Sequence, residues 1–296
     1  MAELLFICNP VAGNGAAMTA IEQVKRILDE RGADYEVRFS QYPEHSKVLA
    51  LQAAKEGHGC IVAVGGDGTV REVACALIGT DIPLGIIPCG TGNDYVKPLR
   101  IPCDTALAVD ILLSGGRRRV DVGRANDNLY INVAGFGFDV DVLDSTEIYK
   151  KKCRSGKVAY IRSLIHALSG LRLRKTVIKT EDGTERRFNA LIVVAGIGTH
   201  IGGGMNITPK ADPSDGLLDI CVAHDVTKLT VLRFLPKLLK GRHVDSKYVT
   251  YFNATRAEAV CEPISRIQVD GEVMEGTPVV FEIEKAALTV VVKKDA

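Results

Sequence analysis

The first third of the chain alternates between two hydrophobic periods. Leu4–Cys8 is a continuous apolar run followed by a glycine-containing turn. From Ala17 to Arg31 the large apolar residues fall at 18, 21, 24, 27 and 28, the spacing of one helical face. Tyr35–Phe39 alternates as a strand does, and His45–Lys55 returns to helical spacing. Cys60–Val64 is again unbroken apolar, as in a strand covered on both faces. Val70–Ile78 predicts a helix, Leu84–Ile87 a buried strand and Thr105–Leu113 another helix. Strand then helix, repeated, builds βαβ units on a parallel sheet. Such sheets bind ligands beyond the carboxyl ends of their strands.

After about residue 120 short strand-like runs dominate: Leu129–Val133, Thr176–Lys179, Leu191–Ala195, Leu218–Val222, Ser246–Phe252, Ala257–Val260, Arg266–Val269, Val279–Ile283 and Leu288–Val292. Glu181-Asp182-Gly183-Thr184 has the composition of a hairpin turn. Only Lys157–Leu171 and Leu229–Lys240 show helical spacing. The expectation is an α/β domain over 1–122, with a parallel sheet and Gly-rich loops, and a mostly antiparallel β-sandwich over 123–296. The last strand is free to return to the first domain.

Composition narrows the function. Lys and Arg total 37 against 36 for Asp and Glu, a net charge of +1, which disfavours a nucleic-acid binder held by bulk positive charge. No apolar run approaches the 18 or so residues of a spanning helix. The N-terminus lacks a basic leader, so a cytoplasmic location is expected. The eight cysteines include no CxxC pair and suit small buried residues in a reducing compartment.

Three glycine motifs follow predicted strands: Asn9-Pro-Val-Ala-Gly13-Asn14-Gly15, Gly65-Gly66-Asp67-Gly68-Thr69 and Pro88-Cys-Gly90-Thr91-Gly92-Asn93-Asp94. Glycine lets backbone approach a phosphate, and the helix that follows offers free N–H groups and a positive dipole. Three such turns on one sheet edge point to a nucleotide site. There is no GxxxxGK[ST], no GxGxxG, no GxSxG and no HExxH.

These motifs resemble the signature of the diacylglycerol kinase catalytic-domain family, the soluble bacterial lipid kinases related to sphingosine and ceramide kinases. Gly135-Phe136-Gly137-Phe138-Asp139, Gly202-Gly203-Gly204-Met205, Asp212-Pro-Ser-Asp215-Gly216-Leu217-Leu218-Asp219 and Asp270-Gly271-Glu272 fall in the family's order. The resemblance implies an ATP- and Mg²⁺-dependent lipid kinase, with diacylglycerol as the expected acceptor and phosphatidic acid as product. A sphingoid base, another lipid alcohol or NAD are alternative acceptors, and a nucleotide-binding regulatory paralogue is the alternative of another class. By resemblance, ATP contacts fall on Asn9, Pro10, Val11, Ala12 and Gly13, on Ser40, on Gly65, Gly66, Asp67, Gly68, Thr69, Val70, Arg71 and Glu72, and on Thr91, Gly92, Asn93 and Asp94. Asn14 stands where a relative can carry Lys, and Arg71 where Asn is common.

The resemblance also implies that Asp270-Gly271-Glu272 supplies the acceptor of the hydroxyl proton. Glu272 is the favoured base, with Asp270 supporting or competing. Asp67 joins them as a catalytic candidate through a metal–phosphate cluster. A structural Mg²⁺ would fall on Asp212, Asp215 and Leu217, the first and last through backbone oxygens, where closely spaced oxygens suit a hard cation. The basic residues Lys150, Lys151, Lys152, Arg154, Lys157, Arg162, Arg172, Arg174 and Lys175 form a candidate peripheral contact with the inner membrane face. Edge strands of a β-rich domain leave a homodimer open.

Overall fold

The computed structural model describes residues 3–150 and 156–294. In the first lobe, β1 (Leu4–Cys8), α1 (Ala16–Glu30), β2 (Tyr35–Phe39), α2 (His45–Glu56), β3 (Cys60–Gly65), α3 (Asp67–Leu77), β4 (Leu84–Pro88) and α4 (Thr105–Ser114) alternate as the hydrophobic periods predict. The strands pair in parallel, β1 with β2 and β3, and β3 with β4. Every residue of β1, β3 and β4 is buried, because helices cover both faces. α1 shows how: Ala17, Ala20, Ile21, Val24 and Leu28 form one buried stripe. Asp104 caps α4 by accepting from the Leu107 N–H.

Next come β5 (Gly116–Ala125), β6 (Asn128–Tyr130), β7 (Val133–Gly137), α5 (Phe138–Lys150), α6 (Gly156–Ser169), β8 (Arg174–Thr180) and β9 (Glu185–Gly196). The small pair β10 (His200–Ile201) and β11 (Met205–Asn206) precedes β12 (Leu218–His224), α7 (Lys228–Leu239), β13 (Val249–Ala254) and β14 (Arg256–Glu262). The chain ends with β15 (Arg266–Val269), β16 (Glu272–Gly276) and β17 (Val279–Val292). Pairings among β7 to β9 and β12 to β16 are antiparallel, and their apolar faces enclose a second core that includes Tyr130, Phe136, Ile220 and Phe281. The chain therefore folds as an α/β lobe with parallel strands followed by a β-sandwich lobe.

Several sequence expectations change. The predicted strand Leu129–Val133 is broken between β6 and β7, because the Ile131 and Asn132 N–H groups turn toward the Asp270 carboxylate. No element was expected over β5, and α5 was not anticipated. The two final predicted strands are one, β17, with a register shift between Glu284 and Leu288 where Ala286 takes φ +51°. β17 pairs with β14 at one end and with β4 at the other, and β5 runs antiparallel along both halves. Cys103 is exposed, unlike the buried cysteines expected.

The basic run also differs from expectation. The side chains of Lys150, Lys151, Lys152, Arg154 and Lys157 lie outside the described residues. Arg174 is no surface cation: it is buried and donates to Asp141 at 3.0 Å.

Candidate active site

The three glycine turns meet at the carboxyl edge of the parallel sheet. Gly13 takes φ +60°, and a Cβ there would lie 1.9 Å from the Cys89 carbonyl oxygen, so only glycine lets the first and third loops touch. Gly66 and Gly90 cross back to back; a Cβ on Gly90 would sit 2.5 Å from the Gly66 Cα. Asn9 Nδ2 donates to Thr69 Oγ1 at 3.3 Å, tying the first loop to α3. Asp67, in the first turn of α3, accepts from the Asp94 N–H at 2.7 Å and the Tyr95 N–H at 3.1 Å, tying the second loop to the third. Burial, and secondarily the nearby Asp94 charge, push the Asp67 carboxyl above its ordinary value.

Three of the expected nucleotide residues also have structural partners of their own. Val70 is buried in the core, and its N–H bonds to the Gly66 carbonyl. Glu72 accepts from the Glu44 and Ser46 N–H groups, which fixes the start of α2. Ser40 is buried beyond β2 and donates its N–H to the Cys8 carbonyl.

The second lobe closes over these loops. The Gly203 N–H donates to Asp94 Oδ2 at 2.7 Å, and Lys97 Nζ donates to Asp94 Oδ1 at 2.5 Å. Lys97 was not read from the sequence, although a cation three residues after Asp94 in the same loop was an available signal; Gly203 was read as part of a family motif, without this contact. Asp270 sits in the turn between β15 and β16 at φ +49°. Its carboxylate accepts from the N–H groups of Ile131 at 2.8 Å and of Asn132 and Val133 at 3.0 Å. Burial pushes this carboxyl up to about 6, against the opposing pull of those N–H groups and of Arg71. Gln268 accepts from the Gly271 N–H at 2.9 Å and so holds the same turn.

Glu272 has a different environment. It opens β16 with its side chain 49% exposed and forms an ion pair with Arg71 of α3. The two candidate bases differ in position: Asp270 lines the cavity between the lobes and Glu272 does not. The turn at positive φ aims one carboxylate inward, while the following strand sends the other outward to Arg71.

That cavity has a volume of about 340 Å³. At one end it is walled by Asp67, Arg71, Asp94 and Asp270. Most of the rest is hydrocarbon, including Leu164 of α6, Leu191 of β9 and Phe234 and Leu238 of α7. Asp139, in the first turn of α5, also belongs to the wall. Burial pushes its carboxyl up to about 7, against the weaker opposing pull of the Val140 N–H and the Gln268 side chain.

The Asp212–Leu217 loop stands apart from this cavity. Asp212 Oδ1 accepts from Arg118 at 2.7 Å and from the Ser214 N–H at 3.0 Å. The Leu217 N–H donates to Asp215 Oδ1 at 2.9 Å. Asp121 is satisfied by the Gly216 and Ala286 N–H groups, each at 2.7 Å. Among the described residues no group of three or more His, Cys, Asp or Glu side chains converges to hold a metal. Arg118 pairs with the Asp212 carboxylate, so a cation held by this loop would rely on the Asp215 carboxylate and on backbone oxygens of Asp212 and Leu217.

The chain matches two family descriptions end to end: the diacylglycerol kinase catalytic domain over residues 3–125, and the YegS C-terminal NAD kinase beta sandwich-like domain over 132–292. A diacylglycerol kinase of Mycobacterium tuberculosis is 34% identical across 96% of this chain and 93% of its own. A probable YegS-like lipid kinase of Pseudomonas aeruginosa is 31% identical across 97% and 93%. A crystal structure of a putative diacylglycerol kinase from Bacillus anthracis shares the fold with a TM-score of 0.82 at 23% identity, covering 99% of this chain and 97% of that one. Glycine loops, sandwich lobe and relatives agree, and the chain belongs to the family of bacterial diacylglycerol kinases and YegS-like lipid kinases.

Proposed function

We propose that the protein transfers the γ-phosphate of ATP to the free hydroxyl of a diacylglycerol, giving phosphatidic acid. The observation that carries this reading is the cavity, with carboxylates and phosphate loops at one end and mainly hydrocarbon along the rest. A substrate suited to it has one polar, reactive end and apolar chains. The glycine turns and the start of α3 would cradle the triphosphate. Asp67 and Asp94 lie close enough to repel each other, which suits a divalent cation carried by the triphosphate; that cation supplies charge neutralisation during transfer. Asp270 is the better-placed base, since it faces the cavity and three N–H groups hold it still. Arg71 and Lys97 are the cations at the same end.

The test is incubation of the protein with γ-labelled ATP and separate acceptors: diacylglycerol, sphingosine, ceramide and NAD. Label in phosphatidic acid alone is the expected result. Transfer to none, with ATP still bound, would overturn the kinase reading in favour of a regulatory nucleotide binder.

A further inference from the structure

α7 is apolar on two sides. Val231, Phe234, Leu235 and Leu238 wall the cavity. On the outer side Leu229, Leu232 and Leu239 are 57%, 50% and 59% exposed, with exposed Pro236 in line between them. These four recur at intervals of three, four and three residues, which makes one stripe along the helix. Beside the stripe run Arg233, Lys237 and Lys240, all exposed. The helix carries no acidic residue. The acids nearest in sequence, Asp225 and Asp245, lie beyond its two ends, and Asp225 is already bonded to His224 and Asn189. On α6, Ile165 is a further exposed apolar residue at 62%. The two helices are joined where Lys228 Nζ donates to the Ser169 carbonyl at 2.5 Å.

A surface helix normally turns its polar face outward. Here the polar side is a narrow cationic margin, and leucine covers much of the exposed remainder. Single exposed leucines need no explanation, but a stripe with a basic edge is the pattern of a helix lying in a bilayer interface. The charge is one-signed and complements anionic headgroups. The apolar surface is also continuous with the cavity wall, so this helix separates the cavity from whatever covers its outer face.

We infer that α7 docks on an anionic bilayer surface, its outer leucines among the upper acyl chains and Arg233, Lys237 and Lys240 on lipid phosphates, so that the acceptor lipid passes from the bilayer into the cavity beneath the helix. The second half of this statement rests on the lipid-kinase reading; the docking itself does not. The site differs from the basic stretch over 150–175 expected from sequence.

The experiment uses the full chain without ATP and floats it with phosphatidylcholine vesicles, pure or containing phosphatidylglycerol. Binding to the anionic vesicles is expected, with loss at high salt. Two triple variants test the face: Leu229→Ser with Leu232→Ser and Leu239→Ser, and Arg233→Glu with Lys237→Glu and Lys240→Glu. All six side chains are exposed, so the fold should tolerate both sets. Reversing three interfacial charges should weaken anionic-vesicle binding at least about hundredfold. Transfer to a short-chain, water-soluble diacylglycerol should be unchanged, while transfer to vesicle-embedded diacylglycerol falls with docking. No wild-type binding, variants that bind as wild type, or a dimer that the leucine variant dissolves would each overturn the docking face. Vesicle binding with no phosphate transfer to any lipid would instead leave docking standing and defeat the kinase reading.

Discussion

Replacement of Asp270 by Asn removes the proposed base and keeps its shape. If Asp270 accepts the hydroxyl proton, it must be ionised, and its carboxyl is pushed up to about 6. Roughly nine tenths would be ionised at pH 7 and one tenth at pH 5, so kcat should fall about tenfold for each unit below pH 6. In Asp270→Asn that acid limb should vanish and kcat at pH 7 should drop about 10²–10⁴-fold. The stability change should be smaller. An Asn oxygen in the Oδ1 position keeps the Asn132 and Val133 N–H bonds and loses the one from Ile131, at about 1.5–3 kcal/mol. Removal of a buried charge offsets part of that loss. Glu272→Gln should keep the limb and change kcat only a few-fold, since Glu272 faces Arg71 and solvent. The assay is kcat from pH 5 to 8 for the wild type and both variants, with melting temperatures measured alongside. A wild-type limb near 4, in the ordinary carboxylate range, would refute the assignment. So would a larger rate loss in Glu272→Gln than in Asp270→Asn.

Asp67→Ala should abolish transfer and cost about 2 kcal/mol, because the Asp94 and Tyr95 N–H groups lose their acceptor; Asp67→Asn should spare most of the stability, as chemical denaturation would report. Gly90→Ala forces backbone against backbone at Gly66, so ATP affinity by titration should fall at least about tenfold, or the fold lose about 1–3 kcal/mol. Asp139 titrates near 7 in the fold, above an ordinary Asp, so the fold favours its neutral form. Its contribution to stability is present below about pH 4 and lost as pH rises through 7. Asp139→Asn should therefore raise the melting temperature at pH 8 and leave it nearly unchanged at pH 4, while the kcat limb near 6 survives.

The first lobe was legible because strands covered on both faces leave continuous apolar runs, as in Leu4–Cys8 and Cys60–Gly65. Its phosphate loops were legible because glycine is what a Cβ-excluding contact requires. α5 was not, since Phe138-Asp139-Val140-Asp141-Val142 alternates like a strand and becomes helical only against its tertiary neighbours. The different settings of Asp270 and Glu272 were not legible for a reason of backbone sign: a turn at positive φ decides which carboxylate points inward, and residue order does not record it. The cavity was invisible too, because its hydrocarbon wall is assembled from residues far apart in sequence, such as Leu164, Leu191 and Phe234.

β17 is the last strand of the chain and serves both lobes. During synthesis, β4 therefore waits for its second neighbour, and β5 and β14 for a shared one, until β17 leaves the ribosome. The first lobe, though translated early, is unable to finish its sheet alone. Two lobes in shape are thus one unit in folding: a chain lacking residues 279–294 should lose amide protection in the parallel sheet as well as in the sandwich, and persistent protection in β1 and β3 would show that the lobes mature independently.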